Sequence, residues 1–138
     1  MKRIKFLLAA TFIIMLISTA NANMIVNGSF ETPDIGTGGW SIFPSILGWS
    51  TTFGSGIEVQ DHAAGSPFDG DQHVELDSWS NSGMSQGITT IAGQPYLLSF
   101  AYSPRPNVSI DSNGIDLFFN SILLDSISAS GIGLYDTS

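Results

Sequence analysis

The sequence has 138 residues, 12 acidic and four basic, a net charge of −8, no cysteine and 43% hydrophobic residues. Three of the four basic residues are Lys2, Arg3 and Lys5, so from residue 23 onward Arg105 stands alone against every carboxylate. That balance argues against nucleic acid, whose phosphates need clustered Lys and Arg, and against an anionic membrane surface; the missing cysteines rule out disulfide support.

Lys2, Arg3 and Lys5 precede an apolar run from Phe6 to Ile17, and small residues follow, ending in Ala20-Asn21-Ala22. This order is that of a secretory signal peptide over residues 1–22. The run is shorter than the roughly 20 apolar residues of a spanning helix, so cleavage after Ala22 is expected, with no membrane span in the mature chain. The remainder, residues 23–138, suits one domain.

Within it, apolar side chains alternate with period two. The loop Thr32–Gly39 comes first, then Ile57 and Val59 alternate with Glu58 and Gln60. After a second turn-rich loop, Asp61–Gly70, Val74 and Leu76 alternate with His73, Glu75 and Asp77. Tyr96, Leu98, Phe100 and Tyr102 form the large face of a further predicted strand, and Ile115, Leu117 and Phe119 alternate with Asp116 and Asn120. These patterns predict half-buried strands. Asp69-Gly70 and Asn113-Gly114 are the sharpest turn dipeptides. No window has helical spacing, so the expected fold is all-β, an antiparallel two-sheet β-sandwich or jelly roll. Nothing after Leu134-Tyr135 can return a strand beside the first, and the domain is expected to lack its last strands.

Several segments carry a resemblance. Asn27-Gly28-Ser29-Phe30-Glu31-Thr32-Pro33, Leu47-Gly48-Trp49 and Ile57-Glu58-Val59 are followed by Gly70-Asp71-Gln72-His73-Val74-Glu75-Leu76, Ser85-Gln86-Gly87-Ile88-Thr89-Thr90 and Gly93-Gln94-Pro95-Tyr96-Leu97-Leu98-Ser99-Phe100. Their order resembles the domain-of-unknown-function 642 family, in its bacterial exported branch. The resemblance implies a galactose-binding-like jelly roll and a role in binding cell-wall or extracellular polysaccharide. In carbohydrate-binding modules with a similar opening, the glutamate matching Glu31 helps hold a structural calcium ion, which takes six to eight oxygens. Glu31, Asp34 and Asp77 are the carboxylates this sequence offers for it.

Among Trp40, Trp49 and Trp79, an indole face could stack on the apolar face of a sugar ring. Trp49, in its Gly-Trp segment before a strand, is expected in the core. Trp79 lies in the polar stretch Asp77–Gly83 and is the expected ligand contact. His73 and Glu75 share a polar strand face and are candidate ligand contacts as well. Gln86 is a candidate for a sugar hydroxyl, with an amide that satisfies backbone at the sheet edge as the alternative. His62 and His73 are too few for zinc, and Asp69-Gly70-Asp71 lacks the alternating oxygens of a calcium loop.

No nucleophile elbow or phosphate loop is present, and no carboxylate pair stands out as a glycosidase pair. The expectation is an exported, non-catalytic module that binds carbohydrate or a cell surface. A structural or adhesive protein that binds other proteins is the alternative.

Overall fold

The computed structural model describes residues 23–133, and the expected signal peptide lies outside them. Eight strands occur in the order β1 (Trp40–Phe43), β2 (Ser45–Ile46), β3 (Trp49–Phe53), β4 (Ile57–Gln60), β5 (His73–Glu75), β6 (Gly83–Ser85), β7 (Gly114–Phe119) and β8 (Ile122–Ser128). A single 3-10 turn at Ile110–Ser112 is the helical element among the described residues. The fold is all-β, and every strand pairing is antiparallel.

Two three-stranded sheets, ordered β1-β4-β5 and β2-β3-β6, form the sandwich. The alternation of β4 explains how they meet. Ile57 and Val59 are fully buried and join Ile46 of β2 in the core, with Phe43, Trp49, Val74, Met84, Phe30 and Ile35 packed around them. Each strand thus contributes its apolar face, and burying a Val or Ile there stabilises by roughly 2 kcal/mol. Trp49 takes the core position expected of it. Its ring lies 5.8 Å from that of Phe30, and its indole N–H donates to the Asn27 carbonyl at 3.3 Å.

The third sheet is the β7–β8 hairpin. Its turn is Asn120-Ser121, both left-handed, at φ 48° and 64°. Two consecutive left-handed residues match the twist of a tight hairpin. The turn expected at Asn113-Gly114 does not form. Gly114 opens β7, and Asn113 is buried, with its side chain engaged upstream. Its Oδ1 accepts the Arg105 N–H at 2.8 Å, and its Nδ2 donates to the Val108 carbonyl at 3.0 Å. Asp69-Gly70 likewise is no strand-to-strand turn. It lies inside the long β4–β5 connection, where Gly70 adopts φ +75° directly over the Glu31 carboxylate.

Two strand expectations are corrected. Tyr96–Tyr102 alternates as a strand should, yet it joins no ladder among the described residues, and Leu97 is 95% exposed. Alternation marks a face that could be covered, but a strand also needs a neighbour for its backbone groups. The second correction concerns Glu58 and Gln60, expected half-exposed opposite Ile57 and Val59. Both are buried, at 6% and 2% exposure. β4 is the central strand of its sheet, and segments from three other parts of the chain cover its second face.

Candidate functional site

The covered second face of the β1-β4-β5 sheet carries the site. In an antiparallel ladder, side chains of paired residues project to the same side. Register pairs Trp40 with Gln60 and Gln60 with His73 in one row. The next row holds Ile42, Glu58 and Glu75. One face of the sheet therefore presents an indole, an amide, an imidazole and two carboxylates, while the other presents Phe43, Ile57, Val59 and Val74 to the core.

Over this face lies a cleft of about 310 Å³, lined by Trp40, Glu58, Gln60, Ser78, Trp79 and Arg105, with Ala63 and Ala64 at one side. Trp79 comes from the β5–β6 connection. Buried Ser82 fixes that loop, donating its N–H to the Leu76 carbonyl at 2.6 Å and its hydroxyl to the Ser80 carbonyl at 3.1 Å. Trp79 remains 78% exposed and Trp40 53% exposed, and their rings meet edge to face at 6.5 Å. Two large apolar rings held in water beside a polar floor form an amphipathic surface suited to a ligand with both characters.

The floor is a hydrogen-bonded chain. Gln60 Nε2 donates to Glu58 Oε1 at 2.8 Å and to Glu75 Oε2 at 2.5 Å, so one amide bridges two carboxylates that face each other across the strands. Arg105 Nη1 pairs with the other oxygen of Glu75 at 2.5 Å. Arg105 arrives from the segment before β7, where Asn113 holds its backbone. Gly131 packs so closely there that a Cβ would overlap the Arg105 carbonyl. Among the described residues, Gln60 Oε1 and His73 Nδ1 are buried without a hydrogen-bond partner. Both are acceptors when the imidazole carries its proton on the other nitrogen. Burial lowers the His73 pKa, a backbone hydrogen bond with Ala64 and the Glu75 carboxylate oppose this, and His62 adds slightly to the lowering.

The expected ligand residues divide. Trp79 walls the cleft, Glu75 anchors its floor, and His73 lies in the Gln60 row. Gln86 is elsewhere: its Oε1 accepts the Val26 N–H at 2.7 Å and its Nε2 donates to the Val26 carbonyl at 2.9 Å. Its amide stands in for a strand's backbone and holds the N-terminal segment, the alternative role foreseen for it. Trp40, named with Trp49 and Trp79 as an indole that could stack on a sugar, joins Trp79 at the cleft, whereas Glu58, Gln60 and Arg105 were not singled out for the site. Arg105, the one Lys or Arg from residue 23 onward, was the available signal for an ion pair in so acidic a chain.

The three carboxylates expected to hold calcium do not come together. Glu31 Oε1 accepts the N–H groups of Asp71 and Gln72 at 3.0 and 3.1 Å, fixing the bend over which Gly70 passes. Asp34 Oδ1 accepts its own Gly36 N–H at 2.9 Å, and Asp77 is exposed after β5. Among the described residues no group of three or more His, Asp and Glu could hold a metal ion. With Glu31 and Asp34 engaged by backbone and the three carboxylates forming no cluster, they do not fit a calcium shell of six to eight oxygens.

Comparisons with protein-family models, with curated proteins and with solved structures found no match. Among the described residues no helix is long and apolar enough to cross a membrane.

Proposed function

We propose that this protein is an exported, non-catalytic carbohydrate-binding or cell-surface-associated module that holds its ligand in the Trp40–Trp79 cleft. The observation that carries this reading is the pair of exposed indoles at 6.5 Å above the buried Glu58-Gln60 floor. Sugars present apolar C–H faces and a rim of hydroxyls. Indole faces suit the first, and carboxylate, amide and guanidinium groups suit the second. The signal-like N-terminus, the antiparallel sandwich and the resemblance to an exported family agree with it.

The floor also supports a non-catalytic role. Glycoside hydrolysis uses two carboxylates free to exchange protons or attack across the scissile bond. Here Glu75 is engaged by Arg105 and both glutamates by Gln60. Hydrolysis of a polysaccharide that is lost on replacing one of these glutamates would overturn this part of the reading.

Titration calorimetry and retention on insoluble polysaccharides test the binding role. The wild-type chain is expected to bind a polysaccharide, and Trp79→Ala to weaken it at least about tenfold, the value of one stacking contact of 1.4 kcal/mol or more. Retention unchanged in Trp40→Ala, Trp79→Ala doubles would place any sugar site elsewhere.

The alternative role, adhesion to other proteins, draws on a different surface. Leu97, Leu98 and Phe100 are exposed, as are Phe118, Phe119 and Ile122 to Leu124 of the hairpin. Contiguous exposed apolar groups of this kind mark contact surfaces. Capture of a protein partner that free sugar does not compete with, and that Leu97→Asp abolishes, would favour it.

A further inference from the structure

We infer that the ligand of the Trp40–Trp79 cleft carries a protonated amine, as a deacetylated amino sugar does, and that Glu58 receives it. This inference rests on the carbohydrate-binding reading and specifies its substrate class.

Charge at the floor is unbalanced. Arg105 pairs with Glu75, and His62 Nδ1 lies 2.7 Å from Asp61 Oδ1. Glu58 belongs to neither. No other Lys or Arg exists from residue 23 onward to supply its counter-charge. Glu58 is 6% exposed and lines the cleft, with Gln60 Nε2 as its bonded donor. A carboxylate withdrawn from water is costly unless donors or a cation surround it. Beside it, the Gln60 Oε1 acceptor is buried and unpartnered among the described residues. An arriving ammonium, with three donors and no acceptor, answers both deficiencies.

The walls point the same way. Indole faces attract cations through their negative quadrupole, and two of them rim the cleft. A sugar ring bearing an amine would place its C–H face on one indole and its ammonium against Glu58. An N-acetyl group in the same position removes the charge, and a hydroxyl offers one donor in place of three.

The test compares three oligosaccharides of equal length against the full chain by titration calorimetry: a glucosamine oligomer, its fully N-acetylated counterpart and a glucose oligomer. The glucosamine oligomer is expected to bind at least about tenfold tighter than either, the value of one charge-assisted hydrogen bond, and to lose this margin at a pH that deprotonates the amine. Glu58→Gln keeps the shape of the side chain and should bring the three affinities to parity. Equal or weaker binding of the glucosamine oligomer by the wild type overturns the inference while leaving the carbohydrate reading in place, and this comparison needs no variant to fold. A margin retained in Glu58→Gln, or matched by a lysine oligomer of the same charge, overturns it also. If none of the three saccharides nor any other polysaccharide binds, the carbohydrate reading itself fails.

Discussion

Arg105 reaches from the segment before β7 to Glu75 in β5 and closes one side of the cleft with the one guanidinium found from residue 23 onward. The bond spans thirty positions of sequence and ties the segment that precedes the hairpin to β5 of the sandwich. Its surroundings are partly open to solvent, and exposed ion pairs contribute about 0–1 kcal/mol. Arg105→Ala should therefore shift the urea midpoint little, while weakening saccharide binding severalfold through the lost donors. A collapse of stability with no change in affinity would show that the residue is structural alone.

Gln60 should be the more sensitive position. Replacing it with Leu keeps the volume but removes the donor shared by Glu58 and Glu75. Leaving two withdrawn carboxylates under-satisfied costs on the order of 3 kcal/mol. Equilibrium urea unfolding checks this, and a loss below about 1 kcal/mol would mean that water replaces the amide without difficulty.

Asn113 secures the segment that presents Arg105. Asn113→Ala removes its bonds to the Arg105 N–H and the Val108 carbonyl, at a cost of about 2 kcal/mol for two bonds near a buried side chain. Gly131→Ala should disturb the same segment by pushing the Arg105 backbone away. Both variants are expected to raise amide exchange over residues 105–108 more than in β4, measured by hydrogen-exchange mass spectrometry.

Stability should fall on mild acidification, with a component due to His73. Burial holds its folded pKa below the ordinary 6.5, so the unfolded chain takes up its proton first as pH drops. Unfolding then binds protons, and the stability present above pH 6.5 diminishes as pH falls below it toward the folded value. Thermal melts of the wild type and His73→Asn between pH 7.5 and 5 isolate the effect. Parallel curves for the two proteins would exclude it.

The sandwich was legible in the sequence where alternation and burial coincide. Ile57 and Val59 mark β4 and the core because both are large, β-branched and two apart. The same pattern placed Glu58 and Gln60 in solvent, since a polar residue beside an apolar one is normally the exposed half of a strand. Only tertiary packing, with Trp79 and Arg105 brought from outside the strand, makes them a covered floor. Tyr96–Tyr102 shows the converse, a pattern suited to a strand without a ladder. Asn120-Ser121 lacks glycine, and its left-handed pair is invisible to a search for Asn-Gly or Asp-Gly. Trp79, His73 and Glu75 were reached by polarity and spacing and Trp40 as an indole, whereas the place of Trp40 beside Gln60 required the register. Glu31 is engaged by the distant Asp71 and Gln72 N–H groups and Asp34 by the nearby Gly36 N–H, bonds that composition does not reveal.

Because Ile57 and Val59 look inward while their neighbours Glu58 and Gln60 look outward, the core and the cleft floor share one reading frame. Inserting or deleting a single residue within β4 would invert both faces together, driving carboxylate into the oily layer and leaving aliphatic groups beneath the indoles. Variation of the cleft's lining is therefore confined to in-place exchanges along the outward row or to the loops around it. The strand itself admits no change of length.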